Sequence, residues 1–115
     1  MSIPEEQLNE LKEYFGEIKT YQEGGLNYLY ISNLALPVGC NPTKVDALLC
    51  PQLKDGYYSR FYVSEKIYGV SRNWNSVVRI LDRNWFAISW QSKPGLTLFQ
   101  MISLHIDAFN PNAKV

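Results

Sequence analysis

The sequence predicts a single α+β domain, with helices covering one face of an antiparallel sheet, and three observations carry that expectation. Apolar residues recur at helical spacing near both ends of the 115-residue chain. Between them lie short segments rich in β-branched and aromatic residues, separated by Gly, Pro, Asn and Asp. Two capping boxes, Ser2-x-x-Glu5 and Thr97-x-x-Gln100, mark where the helices begin.

Each element follows from its residues. After Ser2 and Pro4, residues Leu8, Leu11, Phe15 and Ile18 share one helical face, which places a first helix ending near Lys19. Gly24-Gly25 breaks the chain. Leu26 to Ser32 alternates Leu26, Tyr28 and Tyr30 against Asn27, Leu29 and Ile31, and reads as a strand apolar on both sides. Pro37 and Gly39 to Pro42 form a loop; Lys44 to Cys50 is a second strand; Pro51 to Gly56 turns the chain; Arg60 to Val63 is a third strand. Tyr68 to Ser76 is irregular. Val77 to Leu81 and Trp85 to Trp90 are two more extended segments, split at Asp82-Arg83-Asn84. The last helix runs from about Leu98 to Phe109, with Leu98, Ile102, Ile106 and Phe109 as its buried stripe and Met101 beside it. Asn110-Pro111-Asn112 stops it.

Composition narrows the function. Apolar residues make up 46% and charged residues 19%, which is globular. Eleven basic and eleven acidic residues cancel, so there is no surplus of positive charge for nucleic acid or an anionic membrane. No apolar run approaches the ~18–20 residues of a membrane-spanning helix. The acidic start, Met1 to Glu6, has no signal-peptide core, and a cytoplasmic protein is the expectation. No cofactor is expected. Cys40, Cys50 and His105 are the only sulfur and imidazole ligands, too few for a structural zinc site without carboxylates. Cys50 closes an apolar run and reads as a small buried hydrophobe, whereas Cys40 lies in a loop and is expected to be exposed. Eight tyrosines and three tryptophans suit core or interface positions. Arg60, Lys66, Arg72, Arg79 and Arg83 read as a solvated face.

The order helix, strand meander, irregular stretch, helix resembles a ubiquitin-conjugating domain, and Lys93-Pro94-Gly95-Leu96-Thr97-Leu98 resembles the loop and helix start that follow its active site. A closer resemblance is to the prokaryotic family E of ubiquitin-conjugating-like proteins. It rests on Leu36-Pro37-Val38-Gly39-Cys40-Asn41, the strand to Cys50, Gly56-Tyr57-Tyr58, Phe61-Tyr62-Val63, Trp85, Ile88-Ser89-Trp90-Gln91 and Pro94-Gly95. It covers roughly residues 20 to 110. Tyr58, Gln91 and Ile88 depart from the family's pattern, and the cysteine that carries the thioester is missing.

The resemblance implies one domain over 1–115 with a fold like that of the conjugating enzymes. It implies a bacterial, cytoplasmic protein in a ubiquitin-like pathway, of the kind used in antiviral defence, with a ubiquitin-like protein and its activating enzyme as partners. Ser89 stands at the serine of the family motif and, as the implied nucleophile, would hold the partner's carboxyl terminus as an oxyester. Ser92 and Ser76 are weaker candidates of the same kind. Asn75 stands where conjugating enzymes place an oxyanion-stabilising asparagine. His105 is the implied base if the fold brings it near Ser89; its helical phase alone makes it an edge residue of the core stripe. The alternative implied by the missing cysteine is an inactive variant that only binds the ubiquitin-like protein or its activating enzyme.

Overall fold

The computed structural model describes residues 4–15, 17–52, 56–57, 59–68, 74–88, 90 and 95–109, and for Asn75 the backbone alone. The chain runs α1 (Glu5–Phe15), β1 (Ile18–Glu23), β2 (Leu26–Ala35), β3 (Lys44–Cys50), β4 (Arg60–Val63), β5 (Trp74–Ile80), β6 (Arg83–Ile88) and α2 (Leu98–Ala108). All strand pairs are antiparallel, in the order β1-β2-β3-β4-β6-β5. The α+β class is as expected, with an N-terminal helix, an antiparallel sheet and a C-terminal helix, but the meander holds only from β1 to β4, because β6 inserts between β4 and β5. No helix among the described residues is long and apolar enough to cross a membrane.

Strand alternation divides the core in two. Leu29, Ile31, Val45, Ala47, Leu49, Phe61, Val63 and Ile88 face α1 and α2, where they meet Leu11, Leu98, Met101 and Ile102. Tyr28, Leu48, Cys50, Tyr62, Trp85 and Ala87 occupy the opposite face and are buried with no helix over them. That face is covered by curling of the sheet upon itself. The Leu81 N–H, in the β5–β6 turn, donates to the Glu23 carboxylate at the end of β1 (3.2 and 3.3 Å). Arg83 of β6 reaches Tyr30 of β2 and Asp46 of β3, and Tyr30 meets Trp85 edge-on. The sequence's reading of β2 as apolar on both sides thus holds, and β3 and β4 share the property.

Several boundaries differ from expectation, and β2 runs on to Ala35. The first helix ends at Phe15, and Ile18 opens β1. Ile18 fits the helical spacing, but as the single buried residue of β1 it fits a strand equally well. The two-residue Gly24-Gly25 turn decides the matter by pairing Ile18–Glu23 with β2. The second hairpin turns at Leu81-Asp82 (φ 54° and 60°), not at 82–84, and β5 begins at Trp74, inside the stretch expected to be irregular.

The first hairpin carries a direct test. Gly24 and Gly25 have φ of 60° and 79°, as a type I′ turn requires, and a Cβ at Gly25 would meet nothing within 4 Å. Gly25→Ala is therefore expected to cost about 1 kcal/mol from backbone strain alone. Equilibrium urea unfolding reads this directly; an unchanged midpoint would contradict the turn assignment.

Candidate functional site

The described polar groups that cluster most deeply lie where β4 begins and α2 crosses it. Ser59 and Arg60 are 0% and 1% exposed, and His105 is 2% exposed. Thr97 caps α2 as the sequence predicts: its side chain accepts from the Gln100 N–H, and the Gln100 side chain accepts from the Thr97 N–H. Gln7 of α1 adds a bond from the Leu98 N–H (2.9 Å), which ties the two helices. The buried residues of α2 are Leu98, Met101, Ile102, His105 and Ala108, with Ile106 only partly buried. The stripe is rotated from the expected one, and His105 sits at its centre rather than its edge. The reason is a hydrogen-bond partner within the core.

That partner is Ser59. Its Oγ lies 2.8 Å from His105 Nε2, and the imidazole stacks on Phe61 with 5.4 Å between ring centres and 13° between planes. Burial, and after it the Arg60 charge, lower the imidazole pKa to about 3. Arg60 itself is packed over the rings of Tyr57 (4.2 Å) and Tyr62 (5.7 Å) and donates to the Ile88 carbonyl (3.4 Å). This corrects the reading of Arg60 as a solvated cation. Aromatic residues three before it and two after it supply the apolar and π surface that lets a guanidinium be buried.

The sequence-predicted site residues are placed unevenly by this geometry. Ser89 and Ser92 lie outside the described residues. Ile88, the neighbour of Ser89 in sequence, ends β6, and its carbonyl is the one Arg60 holds. Asn75 lies in β5 beside the irregular register between Trp74 and Ser76, and its side chain is outside the described residues. Trp74 pairs with Ile88, so β5 brings the Asn75 backbone to the same end of the sheet. Ser76 is half-buried within β5. His105 is at that end too, bonded to Ser59, a residue the sequence reading did not single out. A serine and a histidine at 2.8 Å have the spacing of a nucleophile and its base, but both are sealed from solvent and the imidazole is a weak base.

Neither thiol supplies an alternative. Cys50 is fully buried, as expected. Cys40 is 5% exposed rather than open to solvent: its Sγ donates to the Phe109 carbonyl at the end of α2 (3.1 Å), and burial pushes its pKa up. A soluble maleimide is expected to label neither cysteine within minutes in native buffer and both in denaturant. Rapid native labelling at Cys40 would contradict its burial.

Two other features bear on function. Asp46 accepts from the Asn33 N–H (3.0 Å), from the Tyr30 hydroxyl (2.8 Å) and from Arg83 (3.0 Å). Burial works against the carboxylate, yet these bonds and the Arg83 charge outweigh it and hold the carboxyl below its usual range. This group links β2, β3 and β6 across the curled face and is structural. A cleft of about 240 Å³ is lined by Tyr14, Phe15, Asn33, Leu34 and Ala35, none of them a predicted site residue. Among the described residues no three His, Cys, Asp or Glu side chains group to hold a metal.

Comparison with protein families, curated proteins and solved structures finds no match to this chain.

Proposed function

We propose that this protein is a ubiquitin-conjugating-like domain that binds a ubiquitin-like protein or its activating enzyme without carrying the partner covalently. The reading draws on the motifs from Leu36 to Asn41 and from Ile88 to Thr97, in the order helix, meander, helix. Its carrying observation is the state of His105. A general base works best with a pKa near the working pH, and this imidazole, at about 3 and engaged by Ser59, is far from that. Transfer through Ser89 needs a base beside the hydroxyl, and the chain's single histidine is already engaged by Ser59. A thioester needs an accessible thiolate, and both cysteines are buried. On this reading the protein is a bacterial, cytoplasmic member of a ubiquitin-like pathway, of the kind used in antiviral defence, and its contribution is recognition.

The reading expects a ubiquitin-like protein and an activating enzyme to be encoded beside this chain's gene, and these are the partners to assay. Titration calorimetry is expected to detect binding to one of them, with affinity unchanged within about twofold in the triple variant Ser76→Ala, Ser89→Ala, Ser92→Ala, because a hydroxyl not used covalently contributes little. The absence of such neighbouring genes, no binding to either product, or loss of binding in the triple variant would each count against the proposal.

A further inference from the structure

Among the described residues where α2 meets the sheet, His105 is the group that takes up a proton between pH 6.5 and 4.5 once it leaves the core. The chain has a single histidine, carboxylates titrate mostly below this window and the α-amino group above it. That histidine is placed at the centre of the face α2 buries, between Ile102 and Phe109. Ser59, just before β4, meets it through the hydrogen bond and Phe61 of β4 through ring stacking, and the charge of Arg60 between them also acts on it. Asp107, two residues on along α2, is exposed to solvent. A proton on His105 would place a charge in the low-dielectric contact between α2 and β4, where burial disfavours it most and the Arg60 charge adds to the cost.

We propose that α2 is an acid-released cover on the helix-side core: protonation of His105 places a cation in the apolar contact between α2 and β4 and frees the helix from the strand, while the curled sheet stays closed. The sheet stays closed because its own connections lie on the other face. Trp85, Tyr62 and Leu48 pack there without contribution from α2, and the Asp46–Arg83–Tyr30 link spans it. Asp46, which joins three strands of the curl, has its carboxyl held below the usual range by its hydrogen bonds and the Arg83 charge. The sheet therefore keeps its links at a pH where α2 has lost its own. Release would expose Ile102, Met101 and their partners on β3 and β4.

Hydrogen exchange resolved by residue, from pH 6.5 to 4.5, tests this on the protein alone. If opening exposes His105 to one proton, the opening constant of α2 amides, corrected for intrinsic exchange, rises by up to about tenfold per pH unit below 6.5. Amides of β2 and β3 are expected to keep their protection over the same range. His105→Gln, which can still bond Ser59 and cannot titrate, is expected to abolish the slope in α2. Ser59→Ala, which keeps the titrating group, is expected to raise α2 opening at every pH and leave the slope. Parallel loss of protection in α2 and in the sheet would overturn the proposal. So would a native imidazole titrating near 6.5 by NMR, or a slope that persists in His105→Gln. Should His105→Gln fail to fold, the comparison of helix and sheet in the unaltered protein decides alone.

Discussion

Replacing Trp85 with Ala is expected to remove about 3–5 kcal/mol of stability. Trp85 is fully buried on the face of the sheet that no helix covers. Its Nε1 donates to the Ile80 carbonyl (3.0 Å), and its ring meets Tyr30 edge-on and lies 5.0 Å beneath the Arg83 guanidinium. Truncation would leave a cavity, an unsatisfied carbonyl and an Arg83 without its aromatic support, just where β6 closes over β2. Typical domains of this size have only about 5–15 kcal/mol in total, so the variant is expected to be marginal at 25 °C. Trp85→Phe keeps most of the volume and loses the hydrogen bond, and a loss nearer 1–2 kcal/mol is expected. Urea unfolding by circular dichroism measures both. A loss below 1 kcal/mol for Trp85→Ala would mean that the uncovered face is not a core.

The second large effect is expected on the other face. Ile102 is fully buried where α2 meets the sheet, and Ile102→Ala is expected to cost about 2–5 kcal/mol. More informative is its combination with Trp85→Phe. The two residues lie in separate clusters on opposite faces, with β4 and β6 between them. Distant, independent sites add within about 0.5 kcal/mol. Additivity of that quality is expected; a coupling above about 1 kcal/mol would show that the two faces respond as one packing unit.

These expectations mark how far the sequence could be read. β3 and β4 were legible to the residue because β-formers run between Pro, Gly and turn residues that fix both ends. The start of α2 was legible because Thr97 and Gln100 satisfy each other's backbone. β1 was not, since one buried residue in six gives no period with which to separate strand from helix. The curl was not legible either. It depends on contacts between strands far apart in sequence, such as Glu23 with Leu81 and Tyr30 with Arg83, which no local pattern encodes. The same blindness hid the buried polar cluster. Arg60 looks like any charged residue until Tyr57, Tyr62 and Ile88 are seen around it, and Cys40 looks exposed until Phe109 arrives from the other end of the chain. His105 was singled out for its chemistry, and the spacing 98, 101, 102, 105, 108 would have placed it at the centre of the stripe had a polar residue been allowed there. Its partner Ser59 carries no local signal.

Under the proposed function the domain recognises a ubiquitin-like partner without forming a covalent bond to it. Intact-mass analysis tests this most directly, after incubation of the protein with ATP and with the activating enzyme and ubiquitin-like protein expected from its gene neighbourhood. The account predicts an unmodified mass under conditions where calorimetry detects binding, because His105 is held by Ser59 in the core and both thiols are buried. A base-labile adduct of one ubiquitin-like protein that disappears in Ser89→Ala would contradict it.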